Sequence, residues 1–421
     1  MKPRNLILLV VAAAVLVGWA AWVLRPPAKP EIVLIGTKIL PGLPINRVNK
    51  IVLATTNATL TLAKAKGIWA VADRFNYPAA FDKIAESLIQ LSELKVGQVV
   101  SADEKQKGAF NLLDPSGTSP APKEHCGTRL ELRDENDGLL AWLLIGKPFM
   151  RAAAPGGMSS PWSFGDYPDG QYVLGANDRV FLVSQNLAEL TVAAKDWLES
   201  ELFNENATNL QEISVTGPSR EPIKLARPKE GGSLVLEGLS PEQGTLDGAK
   251  GDQLSGALSF LRFDDIADPA LAAKETGLDQ PVLFEARTSL GRTYTIRIGN
   301  TLTNDALARY VQAAVSWQAP AGSQATEKEA TEKLETATNE VAAAQAKEQQ
   351  AAEAMALNER LAPWIYILKS YRVEPFLIKR ADLIKKPEAP QPDAGLPAVT
   401  PVAKEGRQTT DTGGQMTETG K

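Results

Sequence analysis

Two residue types that carry much of enzyme chemistry are nearly missing from this chain. Its 421 residues include one histidine, His125, and one cysteine, Cys126. A single cysteine cannot close an internal disulfide, and this pair alone cannot assemble a zinc site. One histidine also forbids the H-E-x-x-H metalloprotease pattern. The chain has no G-x-x-x-x-G-K-[ST] phosphate loop, no strand-linked G-x-G-x-x-G and no G-x-S-x-G nucleophile elbow. Excess positive charge is lacking as well. With 45 Lys and Arg against 50 Asp and Glu, the net charge is −5, and no basic stripe exists to meet a nucleic acid.

The residues with reactive side chains have plainer readings. His125 and Cys126 are adjacent, which invites a nucleophile–base pairing. Neighbours in an extended stretch point to opposite faces. The two are therefore read as a loop histidine and a half-buried cysteine entering a strand at 128–132. Asp134-Glu135 and Asp264-Asp265 are carboxylate pairs with no apolar setting to shift a pKa, so they read as turns or solvated faces. Asn57-Ala58-Thr59 and Asn206-Ala207-Thr208 fit a glycosylation pattern short enough to arise by chance. No catalytic, cofactor-binding or metal-binding residue is assigned, no cofactor is expected, and the chain is read as a non-enzyme.

What is present begins with an apolar run over residues 6–24, opening at Leu6 and closing at Leu24, with no charge and no proline. As a helix these 19 residues span roughly 28 Å, close to a bilayer's hydrocarbon thickness. Trp19 and Trp22 lie near its end, where indole rings favour the interface, and Arg25, Pro26 and Pro27 stop it. The run is longer than a signal peptide's core and lacks a well-placed small-x-small cleavage site. It is read as an uncleaved, single-pass anchor. Lys2 and Arg4 nearly balance Arg25 and Lys29, so the free amine alone tips the N-terminus toward the cytoplasm. The expected location is the inner membrane, with the bulk of the chain on the periplasmic or extracytoplasmic side.

Beyond the anchor, one pattern occurs twice, over 47–147 and 210–300. Val48, Ile51 and Leu53 match Leu210, Ile213 and Val215. Ile68-Trp69-Ala70-Val71 matches Leu234-Val235-Leu236, which sets Trp69 against Ser233. Ile84, Leu88 and Leu91, at the helical spacing of one buried face, match Leu254, Leu258 and Leu261. Leu113-Asp114-Pro115 matches Leu278-Asp279-Gln280-Pro281, and strand ends at Gly146 and Gly299 close each copy. Hairpins are expected around 133–138 and 175–178. A long irregular loop is expected over 147–170, and a hairpin-like stretch at 308–317. Residues 324–360 hold no Pro or Gly and are dominated by Ala, Glu, Lys and Gln, which are strong helix formers. A heptad seam there runs through Leu334, Ala337, Val341, Ala344, Glu348, Ala351 and Met355, too alanine-rich for an autonomous coiled coil.

The expected fold is α+β: an N-terminal transmembrane helix, then two tandem repeats of a twisted antiparallel sheet with a packed helix, plus a long alanine-rich helical insertion. The segments are 1–27 anchor, 28–46 stalk, 47–205 repeat one, 206–323 repeat two and 324–361 helical insertion. A C-terminal strand segment at 362–384 packs on repeat two. Residues 385–421, rich in Pro, Thr, Gly and charge, are expected to be disordered.

The anchor, the strand at 48–53, Gly67-Ile68-Trp69-Ala70-Val71, Pro78-Ala79 before a Leu-rich helix, the Leu-Asp-Pro turn, Ile145-Gly146 and Trp364-x-Tyr366 together resemble a bacterial family known as domain of unknown function 4340. The resemblance covers about residues 1–385. It departs at Leu112, where the family often carries Gly, and in the long helix. It implies single-pass, envelope-facing proteins, some encoded beside gliding-motility-type ABC transporters. The functional expectation is an accessory or scaffold protein of an envelope complex, such as an ABC-transporter auxiliary subunit. Its expected partners are the membrane and other envelope or transporter proteins, with no nucleic acid. The alternative is an envelope binding module for a glycan, lipid or peptide, using the groove between repeats.

Overall fold

A computed structural model describes residues 35–117, 122–151, 167–228, 232–319 and 335–385, the last with backbone only over 335–343. The apolar run at 6–24 and the tail from 386 lie outside them. Among the described residues, no helix is long and apolar enough to cross a membrane.

The architecture is mixed α and β, with two large antiparallel sheets and few helices. The first half contributes β1 (Lys50–Ala54), β2 (Thr59–Ala65), β3 (Ile68–Val71), β4 (Tyr77–Pro78), β5 (Gln98–Val100), β6 (Thr128–Arg133), β7 (Leu139–Arg151), β8 (Tyr167–Leu174) and β9 (Val180–Val183). They pair in the order β4-β3-β2-β1-β6-β7-β8-β9-β5. Helices α1 (Phe81–Ser92) and α2 (Glu104–Ala109) lie between β4 and β6. Alternation places Ile51, Leu53, Leu60, Leu62, Leu130 and Leu132 on one face, all buried. Ile84, Leu88 and Leu91 of α1 join the same core. Trp69 is 4% exposed within it.

The second half contributes β10 (Glu201–Phe203), β11 (Leu210–Thr216), β12 (Ile223–Ala226), β13 (Val235–Leu236), β14 (Thr245–Leu246), β15 (Leu261–Arg262), β16 (Asp265–Ile266), β17 (Val282–Thr288), β18 (Arg292–Thr301), β19 (Ala308–Trp317), β20 (Tyr366–Lys369) and β21 (Ile384–Lys385). Its large sheet runs β13-β12-β11-β17-β18-β19-β20-β16. Helices α3 (Gly248–Ser255) and α4 (Ala273–Thr276) precede β17, α5 (Glu335–Leu361) separates β19 from β20, and α6 (Ser370–Val373) follows β20.

Apart from β4, the two strand orders correspond position by position. The register agrees too. Leu53 faces Leu60 and Leu130, as Val215 faces Ile223 and Phe284. The long strands slip at the same place, β7 between Ile145 and Pro148 and β18 between Ile298 and Thr301. Each slip holds a glycine, Gly146 or Gly299. A Cβ there would collide with the carbonyl of Phe110, just past α2, or of Thr276, the last residue of α4, where the chain crosses. The leading and closing segments also correspond. Lys38 bridges to Lys95 as Glu201 pairs with Arg262, and Ala80 N bonds Trp197 O (2.8 Å) as Asp247 N bonds Leu383 O (2.8 Å).

Several sequence expectations shift against this frame. Leu62 pairs with Val71 and Leu225 with Leu236, so Trp69 corresponds to the partly buried Leu234 rather than to exposed Ser233. Leu254, Leu258 and Leu261 are all buried, but α3 ends at Ser255; Leu258 sits in a 3-10 turn and Leu261 in β15. Of the loop expected over 147–170, residues 147–151 and 167–170 extend β7 and β8, with Pro148 tolerated beside the register slip, and 152–166 lie outside the described residues. The stretch Ala308–Trp317 is one long strand, because its turn falls earlier, at 302–307. β20 is an inner strand of the second sheet, between β19 and β16.

Helix α5 packs by its C-terminal turns. Ala354 and Leu361 are buried, whereas Met355, on the expected seam, is 66% exposed. A heptad seam presumes a partner helix. Here the partner is the end of β19, whose edge Asn358 caps by accepting from Val315 N (3.0 Å). Arg292 reaches Gln350 (3.1 Å) and Glu353 (3.0 Å), and Arg360 donates to Glu201 O (3.4 Å).

Candidate functional site

The groove expected between the halves is filled. Arg74 grips Asp265 through Nε–Oδ1 (2.7 Å) and Nη2–Oδ2 (3.1 Å). Behind this fork Tyr77 meets the rings of Phe263, Trp364 and Tyr366 edge-on, at 5.3, 5.0 and 6.2 Å. The Tyr366 hydroxyl donates to Leu361 O (3.0 Å), and the Tyr77 hydroxyl is buried without a hydrogen-bond partner. Burial pushes the Tyr77 phenol up to about 12 and Tyr366 higher still, so both stay neutral. Buried neutral rings of this kind belong to packing.

The open concavity lies in the first half. A cleft of ≈ 550 Å³ forms where the segment 37–44 passes the start of β7 and the turn between β8 and β9. Its walls include Ile39, Leu40, Leu139, Ala141, Trp142 and Phe181. Leu139 is 49% exposed, a large apolar side chain at the rim. Four sequence-distant stretches, 37–44, Val96, 139–142 and 175–181, build the cleft, so no local motif marks it. Such volumes and apolar walls suit ligand or side-chain insertion.

A second cleft of ≈ 550 Å³ is polar, at the ends of β1 and β2 beside the 134–137 turn. It adjoins a chain of charges on the open face of the first sheet. Arg129 pairs with Asp114 and with Glu131 (2.7 Å), Glu131 with Arg133 (2.6 Å), Arg133 with Asp137 (3.3 Å) and Asp137 with Lys50 (2.9 Å). The Arg129 guanidinium also lies over the Trp142 ring at 4.9 Å. Burial alone would raise Glu131, but hydrogen bonds from Arg129 and Arg133 outweigh it and leave its pKa below the ordinary value. Every member is paired, so the row fastens strands and leaves no base or nucleophile free.

The residues weighed from sequence fall apart in space or into structural roles. His125 ends a 3-10 turn with Nδ1 against Gly108 O (3.1 Å), while Cys126 Sγ faces Pro122 O (3.5 Å). Burial, then Asp114 and Glu124, raise the Cys126 pKa, which favours the protonated thiol. Asp134 anchors its turn by accepting from Asn136 N (3.0 Å) and Gly138 N (2.8 Å). Asp264 accepts from Lys369 N (2.8 Å), while Asp265 turns to Arg74. Among the described residues, no group of three or more His, Cys, Asp or Glu side chains could hold a metal ion.

The model of the family DUF4340, a domain of unknown function, matches residues 69–281, half of the chain. The chain belongs to this family. The match opens in β3 and closes just before β17, so it joins most of the first half to the start of the second. No curated protein and no solved structure matches.

Proposed function

We propose that this protein is a non-enzymatic accessory or scaffold of a bacterial envelope complex, with an ABC-transporter auxiliary subunit as its specific form. In this reading two copies of one α+β unit stand outside the inner membrane, held there by the anchor from Leu6 to Leu24. The observation that carries it is the pairing of halves: the strand order, the register slip and the glycine within it recur, while no reactive constellation recurs with them among the described residues. Doubling a packing unit enlarges surface, which is what a scaffold uses. The apolar run, too long for a signal peptide's core, supports the anchor.

The test is purification of the full chain from its membranes in mild detergent. A stable complex with a membrane permease is the expected outcome. A monomer carrying a bound small molecule would sink the scaffold reading. It would favour the second one, an envelope binding module for a glycan, lipid or peptide, for which the apolar cleft beside Trp142 speaks.

A further inference from the structure

The apolar cleft of the first half has a counterpart in the second, and there it is occupied. The counterpart can be located strand by strand. Leu130 faces Leu143 as Phe284 faces Ile296, and Leu132 faces Ala141 as Ala286 faces Tyr294, which sets Ala141 against Tyr294; β7 then bulges at Leu140, so Leu139 falls against Thr293 and Gly138 against Arg292. Val173 faces Phe181 as Val311 faces Tyr366, which sets Phe181 against Tyr366; beyond Leu174 the first half turns back through Asn177, where β19 runs on through Val315. The bridge at Lys38 corresponds to the pairing at Glu201. Arg292, Val315, Glu201 and Tyr366 are the residues that bond to α5, through Gln350 and Glu353, Asn358, Arg360 and Leu361. Lys38 and Phe181, the counterparts of Glu201 and Tyr366, line the cleft, as do Leu139, next to the position of Arg292, and Asn177 in the turn that stands where Val315 runs on. The first half carries only a short turn between β8 and β9 where the second carries α5, and no helix enters the cleft among its described residues.

We propose that this cleft is a docking groove for one amphipathic helix of a partner protein, seated as the last turns of α5 are seated in the second half. The helix presents apolar residues at the spacing of Ala354, Leu357 and Leu361, the i, i+3, i+7 pattern of helix-in-groove recognition. Its side chains are bulkier than those of α5. In the second half Phe203 and Tyr294 meet edge-on at 4.9 Å, and the first half has Leu40 and Ala141 at those positions, which deepens the floor. With Gly138 at the position of Arg292 the first half lacks the cation that binds Gln350 and Glu353, and Leu139 beside it is exposed at the rim, so the rim favours apolar contact over charge.

The segments of the chain outside the described residues do not carry the apolar spacing of an amphipathic helix: 25–34 and 152–166 are broken by prolines, and 320–334 hold Leu334 as their one large apolar residue. Residues 6–24 carry no charge, so a helix there has no polar face to leave in water. The tail from 386 is broken by prolines. The first turns of α5 hold Val341 as the one large apolar residue between 335 and 350, too few for the helix of a second copy to seat. A separate protein is left. The inference needs the correspondence of the halves but not the envelope reading, since a soluble partner would satisfy it equally.

A photo-crosslinking amino acid at Leu139, in the full chain in the cells that make it, tests this, with Val235 as the exposed control position. The expected result is an adduct at 139 and none at 235. Its far side maps by fragmentation to a proline-free segment of another protein with large apolar residues at i, i+3 or i+4, and i+7. The adduct drops at least fivefold in the double variant Leu40→Phe, Ala141→Tyr, which restores the second half's floor, at unchanged melting temperature. If that variant melts early, Leu139→Asp with the crosslinker moved to Asn177 takes its place, with the same drop expected. An adduct to residues of this chain, to a second copy, to a segment without that spacing or to lipid overturns the proposal. So does the absence of any adduct, or one indifferent to the variants.

Discussion

Arg74 and Asp265 stand 191 positions apart in sequence and meet in two parallel hydrogen bonds across the junction of the halves. Both side chains are about three-quarters to two-thirds shielded from water. A fork of this kind adds geometry as well as attraction. It fixes the edge of the first sheet, just past β3, on β16 at the edge of the second. Arg74→Ala is expected to lower stability by about 1–3 kcal/mol. In a double-mutant cycle with Asp265→Ala, the coupling should be about 1 kcal/mol or more by denaturant unfolding. A coupling near zero would mean that the rings of Tyr77, Phe263 and Trp364 hold the junction unaided.

Trp69 and Leu234 occupy the same ladder position in the two halves with unequal burial. Trp69→Ala removes a fully packed indole and is expected to cost roughly 3–5 kcal/mol. Leu234→Ala, at a partly buried site, should cost about 1–2 kcal/mol by the area it gives up. Thermal unfolding of the two variants measures the difference. Equal costs would contradict the assignment of Leu234 as the equivalent.

The charge row on the first sheet makes an acid-sensitive contribution. Asp114, Glu131 and Asp137 all have folded pKa values below their ordinary ones. A lowered carboxylate stabilises fully above its unfolded pKa, and that contribution is lost as pH falls through the folded value. Stability should therefore be flat from pH 8 to about 5 and decline below the ordinary carboxylate range near about 4. Glu131→Gln should cost about 1 kcal/mol at neutral pH. The gap between it and the parent chain should narrow as pH falls toward about 3. A gap independent of pH would show that Glu131 acts by packing alone.

Much of the fold was legible wherever one face is buried. The alternation at Ile51 and Leu53, and again at Ile213 and Val215, marks strands because a period of two is what a half-buried sheet imposes. Ile84, Leu88 and Leu91 mark α1 for the same kind of reason. What closes the sheets was not legible. β5 joins β9 and β16 joins β20 across long stretches of chain, and two- or three-residue edge strands leave almost no pattern. The alanine-rich segment announced a helix, but not that Ala354 and Leu361 rather than Met355 would face the protein, because that choice belongs to β19. The cleft was invisible for a related reason: Leu40, Ala141 and Phe181 come from three separate segments, and each alone reads as core.

Removal of residues 1–27 should leave a folded, soluble chain, since every described strand and the whole core lie beyond them. Fractionation after expression, followed by circular dichroism, checks both points. A truncated chain that stays with the membranes would reveal a second membrane contact.

Gly146 and Gly299 give the closest test of whether the two halves are built alike. Each sits in the register slip of a long strand, under the chain that crosses from a short helix to the next strand. At Gly146 the crossing is fastened by Lys147 N to Phe110 O (2.9 Å), and the Gly146 carbonyl accepts from the Gln171 amide. At Gly299 the carbonyl accepts from Arg309 (3.1 Å), and Gln171 and Arg309 hold the same position opposite the slip. In both places a backbone oxygen fills the space a Cβ would need, and backbone cannot swing aside as a flexible side chain can. Alanine at either position must therefore lift the crossing chain off the sheet. Gly146→Ala and Gly299→Ala are each expected to destabilise by about 1–3 kcal/mol, the range for forced overpacking, and by similar amounts. The sites lie in different sheets and share no partner, so the double variant should cost the sum. Denaturant midpoints of the three proteins decide it. A large cost at one glycine with none at the other would mean that the halves share a strand order without sharing the crossing that locks it.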